Sequence, residues 1–262
     1  MSGPFALGKT AEIYMYGEDA VLKLFRLGVP LDDVEAEQHK ARIAHSIGIP
    51  TPVVGEVVFQ GGRIGLVFQR VDGVSVIERL LAASDDIDSL AQLMAHLHVR
   101  LHQAKSPAGL PAQREIVAAR ISRCRLLSTD ERNTLLGALN ELPSGESLCH
   151  GDFHPGNVML TEQGPVVIDW LDASVGNPVG DVARTSLLFL THMANDRLEP
   201  GRLAAVRRFH EIYIEQYKAL NSGSWFGYEK WIPIMAAAKL HEGNREQETW
   251  LLELVRSELS RW

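Results

Sequence analysis

Cysteine is nearly absent from this sequence. The two present, Cys124 and Cys149, have no metal-ligand spacing, so neither a disulfide framework nor a thiolate metal site is expected, and a reducing compartment fits. Basic residues are in deficit, 26 Lys and Arg against 33 Asp and Glu, for a net charge of -7. That balance speaks against nucleic acid as the principal partner, because phosphate neutralisation needs clustered Lys and Arg. It leans mildly towards a cationic ligand. No run approaches the ~18 apolar residues of a membrane-spanning helix, and the N-terminus lacks the charged-then-apolar order of a secretory signal. Internal repeats and long polar tracts are missing too. With 45% apolar residues, the 262-residue chain can bury a substantial core as one large domain or two moderate ones. The expectation is a soluble, cytoplasmic protein with no membrane or nucleic-acid partner; composition leaves the oligomeric state open.

What is there begins with a false friend. Residues 3–10 read GPFALGKT, which satisfies the G-x-x-x-x-G-K-[ST] pattern of a phosphate-binding loop. That pattern works where a strand delivers the loop and a helix N-terminus follows it. Here Thr10 is followed by AEIYMYGEDAVLKLFRLG, whose Ile13, Met15, Val21 and Phe25 flank a turn at Gly17-Glu18-Asp19. This predicts two strands and a hairpin, and Pro4 lacks one of the N–H donors the loop would need. Gly8, Lys9 and Thr10 are therefore read as the bend of a strand-loop-strand flap.

The first part of the chain predicts strands at Phe5 to Leu7, Glu12 to Tyr16 and Ala20 to Phe25. A helix follows from Leu31 to Ser46, with Asp32 and Asp33 near its start and Gly48 as its stop. A hairpin then turns at Gly61-Gly62 within VVGEVVFQGGRIGLVFQRV. From Ser75 onward the periodicity is mostly helical: Ile87 to Lys105, one or two helices over Arg114 to Leu142, and four segments after Asp181. The exception is LCHGDFHPGNVMLTEQGPVVIDW, where Asn157 to Thr161 and Val166 to Asp169 read as strands. The fold class is α+β, with a small β-rich lobe over 1–71 joined through Val71-Asp72-Gly73 to a larger helical lobe over 72–262.

That exceptional stretch carries the densest group of chemically capable residues. A hairpin between Asn157 and Asp169 returns Asp169 to the neighbourhood of Asn157, and two oxygen-bearing side chains there can share a hard cation such as Mg²⁺. Asp152 precedes them on an irregular loop, placed to meet a substrate hydroxyl. Other candidates have plainer readings. His98 and His102, four apart on a helix, could chelate a metal, but no third ligand is evident and packing is the better account. Cys149 beside His150 could suggest a thiol nucleophile, yet adjacent residues on an extended chain point oppositely, which favours a buried cysteine. Tyr213, Tyr217, Trp225, Phe226, Tyr228 and Trp231 could cage a cation, although most read as core of the C-terminal helices.

His150-Gly151-Asp152, Asn157 and Asp169 resemble the motifs of the aminoglycoside phosphotransferase and choline kinase family, small-molecule relatives of the protein kinases. Protein kinases write H-R-D-x-x-x-x-N followed by D-F-G; this sequence has Gly151 for the Arg and Asp169-Trp170-Leu171 for the third motif. NPVGDVA at 177–183 resembles the family segment whose aspartate, here Asp181, braces the catalytic loop. The resemblance covers the chain to about residue 190. It implies a two-lobed kinase-like fold, with residues 1–71 binding nucleotide and 72–262 supplying the catalytic and acceptor-binding lobe. It also implies that Lys23 in AVLK orients the α- and β-phosphates and that a glutamate of the next helix fixes it. Glu35 and Glu37 compete for that role and stand about 200° apart on a helix. Glu37 shares the apolar stripe of Val34, Ala41 and Ala44, so Glu37 is expected. Gly8 to Ala11 becomes the flap over the nucleotide, with Gly8 and Thr10 near phosphate, and VFQRVDG the hinge where main-chain groups of Gln69 and Val71 meet adenine.

The resemblance thus implies a kinase that uses ATP and Mg²⁺, with Asn157 and Asp169 on the metal and Asp152 as the base for a small-molecule hydroxyl. Aminoglycoside-like antibiotics, choline and other amino alcohols are among the acceptors open to it. The alternative is a catalytically silent, nucleotide-binding regulatory protein, against which intact Lys23, Asp152, Asn157 and Asp169 argue. A protein kinase is disfavoured because no A-P-E segment or activation loop follows Asp169.

Overall fold

Alternating β-branched and polar residues at the start of the chain build one antiparallel sheet. Its strands are β1 (Ala6–Leu7), β2 (Ala11–Met15), β3 (Ala20–Phe25), β4 (Val54–Gln60) and β5 (Arg63–Gln69), in the order β1-β2-β3-β5-β4. The computed structural model describes residues 3–8, 10–82, 86–104, 108–194, 198–221, 223 and 225–262, so Lys9 and Lys105 lie outside the described residues. The bend after β1 leads straight into strand β2, in register Leu7↔Glu12, where a phosphate-binding loop would need a helix. Gly61 and Gly62 take φ of 58° and 75°, the left-handed pair a two-residue hairpin turn requires, and join β4 to β5.

Helix α1 (Leu31–Ser46) starts after Pro30, carries Asp32 and Asp33 in its first turn where the helix dipole favours them, and buries Val34, Glu37, Ala41 and Ala44. Packing against β4 and β5 hides this stripe. Gly48 at φ 80° ends the helix. A second, three-stranded sheet has the order β6-β8-β9, made of β6 (Val74–Ser75), β8 (Val158–Thr161) and β9 (Gly164–Val167).

The remaining elements are α2 (Val76–Ala82), α3 (Ile87–Gln103), α4 (Gln113–Arg123), α5 (Thr129–Glu141), β7 (Ser147–Cys149), β10 (Ser174–Gly176), α6 (Pro178–Met193), α7 (Pro200–Leu220), α8 (Tyr228–Lys239) and α9 (Arg245–Leu259). β7 and β10 pair antiparallel, and a short 3₁₀ turn at Leu240–Glu242 follows α8. One hydrophobic core gathers Ile121, Leu135, Leu187, Trp231, Ile234 and Val255 from α4, α5, α6, α8 and α9. No helix among the described residues is long and apolar enough to cross a membrane.

By packing, the chain forms two compact units: Met1–Glu78 with Gly156–Asp172, and Arg79–Pro155 with Ala173–Trp262. The β8–β9 hairpin thus belongs with the N-terminal strands, although in sequence it lies among the helices. Its β8 strand pairs with β6, Val74 opposite Leu160, which ties residues 72–78 to the same unit.

Candidate active site

In the first unit, β3 and α1 bring a lysine and a glutamate together. Lys23 sits mid-strand, opposite Ile13 on β2 and Leu66 on β5, and its Nζ donates to Glu37 Oε1 at 2.6 Å and to Asp169 Oδ1 at 3.1 Å. Glu37 is 1% exposed, whereas Glu35 on the same helix is exposed. Burial opposes the Lys23 charge, but the carboxylates of Asp169 and Glu37 outweigh it and hold the lysine above its ordinary pKa. Burial pushes the Glu37 carboxyl up, against the pull of Lys23. Glu37 Oε2 has no hydrogen-bond partner among the described residues, so Lys23 is the one cation that compensates this buried acid at hydrogen-bond distance.

Asp169 is set by its neighbours. Ile168 N donates to Asn157 O at 3.0 Å and closes the β8–β9 ladder, while the buried Trp170 donates its indole N–H to Thr51 Oγ1 at 2.8 Å. Between these two anchors Asp169 takes φ 64°, the single non-glycine in the left-handed region among the described residues. Such a conformation costs of order 1–3 kcal/mol and concentrates at functional sites. The strand expected over Val166 to Asp169 therefore ends at Val167, because the left-handed residue cannot continue the ladder. Asn157 closes a 3₁₀ turn at Pro155–Asn157, and the register Val158↔Val167 puts Asn157 and Asp169 at one end of the hairpin. Their donors are an amide oxygen and a 42% exposed carboxylate, an all-oxygen set that suits Mg²⁺.

Gly8 and Thr10 lie on the exposed bend between β1 and β2. Gly8 N donates to Ala11 O at 2.8 Å, and a Cβ on Gly8 would meet that oxygen at 3.2 Å, so the tight bend favours glycine. Thr10 O accepts from Arg26 N at 2.8 Å. At the end of β5, Gln69 N donates to Val53 O, and Val53 N donates to the Gln69 side chain. Val71 has no hydrogen bond among the described residues, which leaves its main chain available to a ligand.

Asp152 lies in the second unit on the loop after β7. Gly151 turns that loop at φ 78°, and Asp152 N donates to His150 Nδ1 at 3.3 Å. The Asp152 carboxylate has His154 Nε2 at 3.5 Å and an Arg184 terminal nitrogen at 3.7 Å. Burial would raise its pKa, but the His154 hydrogen bond and the charges of Arg184, His154 and His150 hold it well below the usual carboxylate range. Asp152 is thus ionised at neutral pH, as a proton acceptor must be.

The loop is braced from beneath. Asp181, 1% exposed on α6, accepts from His150 N at 2.7 Å, Gly151 N at 2.8 Å, His98 Nε2 at 3.0 Å and His102 Nε2 at 3.2 Å. A carboxylate only accepts, so both Nε2 atoms carry hydrogen and both Nδ1 atoms accept, from the hydroxyls of Tyr213 and Tyr217 at 2.6 Å each. The third partner of His98 and His102 that periodicity alone did not supply is Asp181, 83 and 79 residues away respectively. The three groups place ligand atoms within 4.8 Å of one another, yet the hydrogen bonds already use each ring nitrogen. His98 is pushed down to about 3 by burial and the neighbouring His102, so it stays neutral. Cys149 is fully buried, and burial pushes its thiol up, which removes it as a nucleophile. Tyr213, Tyr217 and Trp231 are core, and the Trp225 ring is covered by the chain's own Lys218 Nζ, 4.7 Å from its centre.

A family model described as the phosphotransferase enzyme family matches residues 4–220. The chain belongs to that family. Among relatives of this phosphotransferase-family chain, streptomycin 6-kinase of Streptomyces griseus is 30% identical over 127 residues, 45% of this chain and 40% of that protein. The aligned part therefore spans about two fifths of that relative's length. A thermostable mutant of aminoglycoside phosphotransferase APH(4)-Ia, in ternary complex with AMP-PNP and hygromycin B, matches with a TM-score of 0.69 at 15% identity, over 97% of this chain and 91% of that one. Amicoumacin kinase hAmiN, in complex with AMP-PNP, Ca²⁺ and Ami, matches with a TM-score of 0.65 at 14% identity, over 96% and 86% of the two chains. At such identities the likeness establishes the fold, which is the kinase-like α+β fold.

Proposed function

We propose that this protein is an ATP-dependent phosphotransferase that moves the γ-phosphate to a hydroxyl of a small molecule, in the cytoplasm, with Mg²⁺. The observation that carries the reading is Lys23, an ammonium gripped at 2.6 Å by buried Glu37 and at 3.1 Å by the left-handed Asp169. An ion pair this buried is poor as a stabilising device; as a fixed cation aimed at phosphate it has a use. Streptomycin 6-kinase and the AMP-PNP complexes of APH(4)-Ia and hAmiN support the same direction. They favour an antibiotic of aminoglycoside type, or a similar amino alcohol, as acceptor.

Phosphoryl transfer asks a protein chiefly to position and to neutralise. Lys23 orients the α- and β-phosphates, and Glu37 fixes its rotamer. The Gly8–Thr10 bend covers the nucleotide, and the main chain of Gln69 and Val71 meets the adenine edge. Asn157 and Asp169 would hold Mg²⁺, which would supply positive charge against the charge that develops on the phosphate. Asp152 accepts the proton of the attacking hydroxyl, and the low pKa set by His154 and Arg184 keeps it ready.

The test is slow hydrolysis of MgATP by the purified chain, followed as released phosphate. Asp169→Ala should abolish it, a barrier increase on the order of 4 kcal/mol or more. Equal hydrolysis by wild type and variant would refute the assignment. A screen of amines, sugars and aminoglycosides as acceptors, beside a resistance test in a susceptible bacterium, then identifies the substrate.

A further inference from the structure

From Asp152 a row of charges runs on to Glu242 and Lys239, to which the catalytic reading gives no task. Arg184, on α6 and 6% exposed, donates from Nε to Gly151 O at 3.1 Å. One of its terminal nitrogens donates to Glu242 Oε1 at 2.6 Å and lies 3.7 Å from Asp152 Oδ1. The second oxygen of Glu242 takes Lys239 Nζ at 2.9 Å. Charge alternates along the row: Asp152, Arg184, Glu242, Lys239. Glu242 and Lys239 both lie past residue 220, where the family match ends.

A guanidinium as buried as this one is retained only with partners on its donors, and its planar fork holds several acceptors in fixed directions as no lysine can. Two of its partners, the hydrogen-bonded Gly151 carbonyl and the Asp152 carboxylate attracted at 3.7 Å, belong to the catalytic loop. The third comes from the 3₁₀ turn at Leu240–Glu242, clamped in turn by Lys239.

We propose that Arg184 is a positioning residue for Asp152, and that Glu242 sets Arg184, so that the segment after α8 fixes the aim of the base. The inference rests on Asp152 being the acceptor base. Arg184 grips the loop main chain at Gly151 and attracts Asp152 Oδ1, while His154 Nε2 stands 3.5 Å from Oδ2, so the carboxylate is steered from both sides. Glu242 acts only through Arg184.

MgATP alone tests this, with water standing in for the acceptor hydroxyl and AMP-PNP affinity measured beside turnover. Arg184→Gln and Glu242→Gln should each lower kcat about 10- to 100-fold, the loss expected when a reacting group is misplaced by around an ångström. Neither should change the KM for ATP or the affinity for AMP-PNP. Arg184→Lys should not recover the rate. Glu242→Gln added to Arg184→Gln should slow it no further, a non-additivity that a general loss of stability would not produce. Should Arg184→Gln fail to fold, Arg184→Lys takes its place in the same double-mutant cycle. Full-rate hydrolysis by the Arg184 and Glu242 variants, or losses that multiply, overturns the positioning role while the Asp169→Ala control keeps the phosphotransferase reading intact. Wild-type hydrolysis by Asp169→Ala would remove both.

Discussion

At the scale of single residues, Asp152 and His98 show two opposite uses of burial. Asp152 keeps its charge because His154 and Arg184 stand beside it, and as the proposed base it would gain nothing from rising pH near neutrality. Asp152→Asn should therefore bind AMP-PNP as wild type does and turn over about 10²–10⁴-fold more slowly; measuring both constants on one preparation separates a base from a ligand of the nucleotide. His98 is instead held neutral, at about 3. Between its ordinary value near 6.5 and about 3, the unfolded chain takes up a proton that the folded chain refuses, so stability falls as pH drops through that window, by about 1.4 kcal/mol per unit. His210, pushed down to about 4 by burial, adds to the same slope. Asp181, held well below the usual carboxylate range, contributes stability that is lost only at still lower pH. Thermal unfolding followed from pH 6.5 to 4 should show a shallower slope in His98→Gln than in wild type. The segment that makes Asp152 a candidate is local and can be read in sequence. The partners of His98 cannot, since Asp181 and Tyr213 lie 83 and 115 residues away and no periodicity points across that distance.

At the scale of elements, patterns that close locally could be read. Helix α1 runs from Leu31 to Ser46 as its dipole-favoured start and glycine stop predict, and the β4–β5 hairpin turns where two glycines adjoin. Elements set by distant pairing could not. β7 and β10 are three residues each and exist because Ser147–Cys149 meets Ser174–Gly176. The strand β6 is two residues long and owes its existence to β8. Gly73 precedes it, and a Cβ there would stand 2.3 Å from Leu160 O. That atom is backbone in a paired strand and cannot swing aside, so Gly73→Ala must push β6 off β8, the strand that follows Asn157. Overpacking of this kind typically costs about 1–3 kcal/mol. Chemical denaturation should show a lower midpoint for Gly73→Ala with an unchanged slope, together with weaker AMP-PNP binding. A midpoint equal to wild type would mean that the pairing is not required.

At the scale of the whole molecule, the division of the chain does not follow its sequence order. Lys23, Glu37, Asn157 and Asp169 all belong to the unit formed by Met1–Glu78 and Gly156–Asp172, while Asp152, only five residues before Asn157, belongs to the other. In sequence the 156–172 hairpin stands among helical segments; the hydrogen bonds that tie it to the first unit, Val167 to Pro50 and Trp170 to Thr51, are long-range and leave no local trace. This arrangement has a thermodynamic consequence. If the nucleotide contacts come from one unit built of two chain segments, a bound nucleotide is lost when either segment detaches, so binding stabilises both together by mass action. At about a hundredfold excess over Kd, AMP-PNP with Mg²⁺ should add about 2.7 kcal/mol. For a chain of this size that is a rise in Tm of about 2–4 °C per kcal/mol. In Asp169→Ala the rise should shrink strongly at the same nucleotide concentration, since affinity falls when the metal-binding carboxylate is gone, whereas in Asp152→Asn it should persist. An equal rise in all three proteins would show that nucleotide binds without Asp169, and the assignment of the metal-binding carboxylate would then fall.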